Sequence, residues 1–144
     1  MFLEEKFYTQ IITNLPILCV DLLIKNNKGQ YLLHYRNNQP LKGHWWVPGG
    51  RVHKLEKIKN AGTRKCKEEL GLVIKEWKTC GYYEDWYDEN AFDSDTMFHG
   101  VSIVLSAKKT MNDEKVILDE QSTKWAFHDS LPERFLSNFK TNLI

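Results

Sequence analysis

Two glycines, Gly49 and Gly50, precede a charged segment in which Glu56, Arg64, Glu68 and Glu69 are followed by Gly71 and Leu72. These residue types at this spacing suit the holding of a cation against phosphate. A glycine pair lets a backbone carbonyl approach an ion closely, and a helix beginning after it can present Glu69 toward the same point. The donors are then oxygens, which Mg²⁺ requires at about 2.0–2.1 Å. Arg64 and Glu68 are four residues apart and neighbours on a helix surface, whereas Glu68 and Glu69 diverge by about 100°. Only some of these carboxylates can reach one ion. Adjacent glutamates flanked by Lys65 and Lys67 would, without context, read as a solvated helix face. The glycines and Arg64 around them favour a metal site.

The elements that must position these groups follow from periodicity. Phe7, Ile11, Ile12 and Leu15 form a helical stripe over Glu4 to Leu15 that ends before Pro16. Ile17 to Ile24 reads as a buried strand, Asn26 to Gly29 as a turn and Tyr31 to Arg36 as a returning strand, hence a hairpin. Asn37 to Gly43 is a loop, and Trp45 to Val47 is a short apolar run in which one tryptophan is core and the other can face a pocket. Glu56 to Leu70 reads as a helix stopped by Gly71, with Gly62 costing about 1 kcal/mol of propensity relative to Ala. Leu72 to Tyr83, Phe98 to Lys108 and Thr123 to Phe127 have strand composition, and Pro132 to Phe139 reads as a helix. The mixed order implies an α/β or α+β sheet with helices on its faces, in a single domain over 1–144.

Composition narrows the function classes. Twenty Lys and Arg against nineteen Asp and Glu leave a formal charge of +1, which supplies no basic field for nucleic acid. Three cysteines, Cys19, Cys66 and Cys80, have neither disulfide-framework nor zinc-ribbon spacing. The apolar run from Leu15 to Ile24 is broken by Pro16 and Asp21 and is too short to span a bilayer, and Glu4 and Glu5 stand where a signal peptide carries lysines. The expected location is the cytoplasm, with no membrane partner.

The segment GRVHKLEKIKNAGTRKCKEELGL from Gly50 to Leu72 resembles the Nudix box. Gly50, Glu56, Arg64, Glu68, Glu69, Gly71 and Leu72 fit its pattern, Cys66 is a marginal apolar match, and Lys65 stands where the family has glutamate. The rest of the chain is similar to the GDP-mannose mannosyl hydrolase branch, in MFL at the start, Asp21, Tyr31 to Asn37, GHWWVPGGRV, and the YDEN and LDEQ segments at 87–90 and 118–121. The resemblance implies an α/β/α sandwich with a mixed central sheet and a homodimer. It also implies hydrolysis of GDP-mannose to GDP and mannose by water attacking the anomeric carbon. One Mg²⁺, or Mn²⁺ in its place, would be held by the Gly49 carbonyl, Glu69 and Gln121. Asp21, Arg36 and Arg51 would bind the GDP-sugar, and the two arginines would neutralise the departing diphosphate. Loss of the glutamate at Lys65 is itself a feature of that branch, and a protonated lysine ligates no cation.

Three positions depart from the branch. Its general base is a histidine after Gln121, where this chain has Ser122; its tyrosine appears here as Gly100; and a loop histidine appears as Asp85. A serine hydroxyl has no basicity near neutral pH. His99, Asp85, Asp88 and Asp119 are candidates for the missing base, although an ordinary strand histidine is the plainer reading of His99. A changed substrate, phosphoanhydride cleavage, or a protein that binds a sugar nucleotide and turns it over slowly are the alternatives.

Overall fold

The structure, a computed structural model, describes residues 3–88, 96–111 and 124–139. The elements in order are α1 (Glu5–Asn14), β1 (Ile17–Leu23), β2 (Tyr31–Tyr35), β3 (Trp45–Trp46), β4 (Gly49–Arg51), α2 (Ile58–Leu70), β5 (Trp77–Tyr87), β6 (Phe98–Ala107), β7 (Trp125–His128) and α3 (Glu133–Phe139). One sheet has the order β4-β1-β6-β5 and a second the order β3-β2-β7. The first is mixed, because β1 runs parallel to β6 and antiparallel to β4, while β5 is antiparallel to β6. The expected α+β sandwich with a mixed sheet is the architecture observed.

Strand alternation splits β1 between two cores. Val20 and Leu22 face α2 and pack with Ala61, Cys66, Leu70, Trp77 and Leu105, all nearly inaccessible to solvent. Leu23 faces the other way and joins Leu33, Trp46, Val104 and Phe135 of α3. Gly62 explains itself here. A Cβ at this point would come within 2.9 Å of Leu105 and 3.3 Å of both Leu22 and Trp77, so its propensity cost is offset by the close seating of α2 on the sheet.

The outline differs from expectation in four places. β1 and β2 part into separate sheets, and only their junction keeps a hairpin, through the Lys25–Tyr31 bridge; both edges of β1 are already taken by β4 and β6. α2 starts at Ile58, leaving Glu56 in the preceding loop. β5 starts at Trp77, not Leu72. On α1 the inward face is Tyr8 and Ile12, while Phe7 and Leu15 are more than half exposed. No helix among the described residues is long and apolar enough to cross a membrane.

The pairing of β5 with β6 contains one irregularity, at Cys80. Thr79 opposes Leu105 and Gly81 opposes Val104, so Cys80 is an extra residue in the strand. Trp77, before the bulge, sits in the core beneath α2, whereas Tyr83, of the same parity, joins the core on the other side of the sheet. The bulge thus shifts the phase of the strand and turns Tyr83, Asp85 and Tyr87 inward, with Tyr82 and Trp86 outside.

Candidate active site

A cleft of ≈ 810 Å³ opens beside β1, β4 and the last turns of α2. Asp21, Arg36, Gly49, Arg51 and Glu69 all line it, together with Lys65, Glu68, Tyr83, Asp85 and Ser102. Chain pairing brings several of them to one point, since Asp21 opposes Gly49 and Cys19 opposes Arg51 across the β1–β4 ladder. The approach at Gly49 is very close. A Cβ there would stand 2.1 Å from the Val20 carbonyl oxygen and 2.9 Å from Asp21 Oδ1, so only glycine lets this backbone lie against β1.

Arg64 fixes the loop between β4 and α2 relative to the helix. Its Nε–H donates to Glu56 Oε2 at 2.7 Å, its Nη2 to the Arg51 carbonyl at 2.8 Å and to Glu56 Oε1 at 2.9 Å, and its Nη1 to Glu68 at 3.2 Å. Glu56 also accepts from the His53 backbone N–H at 3.0 Å. The arginine bonds hold the Glu56 carboxyl down at about 2. Glu56 therefore acts from outside the helix, as a brace.

Asp21 is 6% exposed. Burial lifts its carboxyl to about 6, against the hydrogen bond donated by Tyr83, the positive field of Arg36 and a further bond from the Trp46 side chain, all of which favour the anion. The two tryptophans do not divide into one for the core and one for the pocket: Trp46 is both a core residue and the one that reaches the cleft, while the partly buried Trp45 packs edge-on to Tyr35. Arg36 is steadied by donation from its Nε–H to the Pro40 carbonyl at 2.7 Å, and the Arg51 guanidinium lies 5.6 Å above the Tyr8 ring centre. Burial pushes the Cys19 thiol up to about 12, so it is no nucleophile near neutrality.

At the α2 end, Lys65 Nζ is 2.9 Å from Glu69 Oε1 and 3.5 Å from Glu68 Oε2. The expected ion's donors are oxygens throughout, from the Gly49 carbonyl, Glu69 and Gln121; Gly49 and Glu69 line one cleft, and Gln121 lies outside the described residues. Such a set fits Mg²⁺, which takes one or two carboxylates and completes its shell with water and phosphate. No cluster of three His, Cys, Asp or Glu suited to a metal occurs among the described residues.

The candidate bases separate. His99 is not brought to the cleft: its parity on β6 is opposite to that of Gly100 and Ser102, and its ring stacks on the outward Trp86 at 4.9 Å. Asp85 lines the cleft but accepts two bonds of 2.8 Å from Arg134 on α3, which tie it to a structural ion pair. Asp88 is exposed and does not line the cleft, and Asp119 and Ser122 lie outside the described residues. At Gly100 the Phe98 ring comes within 3.0 Å of where a Cβ would stand, so it fills the room a larger side chain would need. Tyr8 was not singled out for the cleft by sequence and enters because the inward face of α1 is one residue away from the apolar stripe; of the aromatics Tyr82, Tyr83, Trp86 and Tyr87, which by sequence could stack on a base, cap the core or make a dimer contact, the bulge brings Tyr83 and Tyr87 to the cleft.

Residues 16–138 match the NUDIX domain. The chain is 32% identical over 114 residues to the low-salt glycan biosynthesis protein Agl8 of Haloferax volcanii, covering 79% of this chain and 71% of that protein. It is 39% identical over 91 residues, 62% of this chain, to an ADP-ribose pyrophosphatase of Methanocaldococcus jannaschii, and spans 49% of that relative's length. Among solved structures it resembles the MutT protein of Methanosarcina mazei Go1, with a TM-score of 0.69 and 25% identity over 88% of this chain and 92% of the other. It has the same fold as the NUDIX domain of Shewanella oneidensis NrtR complexed with ADP ribose, at a TM-score of 0.60 and 18% identity over 88% and 83%.

Proposed function

The chain belongs to the NUDIX domain family, and on that premise we propose that it is a Mg²⁺-dependent hydrolase of a nucleoside diphosphate sugar, splitting GDP-mannose into GDP and mannose by attack of water at the anomeric carbon. The observation that carries this reading is Lys65. An ammonium stands 2.9 Å from Glu69 where attack at phosphorus would call for another carboxylate. Positive charge brought to the cleft by Lys65, Arg36 and Arg51 would serve a departing diphosphate instead. The likeness to a glycan biosynthesis protein agrees with a sugar nucleotide as substrate.

The Gly49 carbonyl and Glu69, with Gln121, would hold Mg²⁺, which when bound supplies positive charge to the diphosphate. Arg36 and Arg51 offer planar donor forks to the phosphate oxygens. The bond from the anomeric carbon to the diphosphate oxygen breaks, its electron pair leaves with GDP, and the water oxygen bonds to the carbon. Asp21 both contacts the sugar and receives the water's proton, supported by its place in the cleft and a carboxyl lifted close to neutrality.

Incubation with Mg²⁺ and GDP-mannose in water labelled with heavy oxygen tests the reading. The expected products are labelled mannose and unlabelled GDP, and Glu69→Gln should abolish the Mg²⁺-dependent turnover. The ADP-ribose pyrophosphatase relative favours a second reading, cleavage of the phosphoanhydride, in which the label enters a phosphate.

A further inference from the structure

Lys65 is held where its long stem would ordinarily reach for water. Its side chain is 18% exposed, its ammonium bridges Glu68 and Glu69, and its Cε would lie 2.6 Å from a Cβ at Gly50. A lysine stem thus runs across the second glycine of the pair and delivers its charge to the carboxylate expected to receive the divalent ion. Lysine and metal compete for the same Glu69 lone pairs. A flexible four-carbon stem with a point charge at its end can swing from a carboxylate to a phosphate oxygen, which a planar arginine fork does less readily.

We propose that Lys65 is a resident counter-ion that exchanges partners: it neutralises Glu69 in the empty cleft and passes to the diphosphate of the nucleotide when a divalent ion takes Glu69. This rests on the metal reading above and adds to it a coupling. Without nucleotide the ion must displace an ammonium that is left only the more distant Glu68, a carboxylate Arg64 already holds, so binding is weak. With nucleotide present the displaced ammonium gains phosphate, so each ligand strengthens the other by the same factor. Lys65 is a positioning residue for the metal and a binding residue for the diphosphate.

Mn²⁺ binding followed by its electron-spin resonance signal, with and without GDP, tests this without any turnover. In Lys65→Met, which keeps the stem over Gly50 and removes the charge, Mn²⁺ alone should bind roughly five- to tenfold tighter than in the unaltered protein, the scale of one part-buried ion pair. GDP alone should bind more weakly, and the mutual strengthening should shrink. Lys65→Arg should keep the weak metal binding, and Lys65→Gln should repeat the result if the methionine variant folds poorly. Mn²⁺ affinity that is unchanged or lower in both neutral variants overturns the exchange. If Glu69→Gln binds Mn²⁺ as well as the unaltered protein does, the metal reading itself fails, whatever Lys65 does, and the exchange falls with it.

Discussion

Asp21 shows what a cleft can cost a fold at the scale of one residue. Its carboxyl stands at about 6 in the folded chain against an ordinary 3.8, so the ion is disfavoured by burial more than its donors favour it. A raised folded pKa means that stability is full below the unfolded value and is lost as pH rises through the folded one. In metal-free solution Asp21→Asn should therefore match the unaltered protein below about pH 4 and exceed it by roughly 1–3 kcal/mol near pH 8. Thermal unfolding across that range reads the gap. An asparagine variant that is weaker at every pH would mean that the bonds from Tyr83 and Trp46 outweigh the burial. The same variant should lose about 10²–10³ in turnover if Asp21 takes the proton. Residue types were legible where spacing or resemblance carried them: Asp21, Arg36, Gly49, Arg51 and Glu69 meet in one cleft. At His99 the plainer expectation, an ordinary strand histidine, is the one the structure agrees with, and its catalytic alternative stayed open because which face a strand residue takes depends on its pairing, and a shift of one residue reverses it.

At the scale of elements, the glycine loop and α2 could be read from the chain because their signals are local: a glycine stop at Gly71 and a thin apolar stripe of Ile58, Ala61 and Cys66, which the structure turns to the core. The bulge at Cys80 has no such signal, since an extra residue is defined only against its partner strand. It predicts a sharp contrast. Deleting Cys80 should return Tyr83, Asp85 and Tyr87 to the outer face, put Tyr82 and Trp86 inside, and abolish cooperative unfolding. Cys80→Ala, which keeps the residue count, should stay within about 0.5 kcal/mol of the original stability. Denaturant titration distinguishes the two, and a deletion variant with an ordinary transition would show that the strand can re-register. The parting of β1 and β2 was hidden for the same reason: a turn between two strands shows that they meet, not that they stay together.

At the scale of the whole molecule, two sheets, α2 and α3 build the cores and the catalytic wall, and α1 closes the remaining side. Tyr8 reaches beneath Arg51, and its cluster with Ile12, Ile17, Tyr87 and Phe98 is separate from the two larger cores. Removing residues 1–14 should leave circular dichroism and a cooperative transition in place but weaken GDP binding about tenfold or more, because the arginine loses its aromatic support and the cleft its wall. Equal affinity in the shortened chain would confine α1 to a structural role. That α1 lies before the NUDIX match, which begins at residue 16, has a consequence for descent. Part of the cleft's wall, Leu3 and Tyr8, thus comes from a stretch outside the matched domain, so a lineage can reshape that wall by altering its first helix while inheriting the matched domain intact.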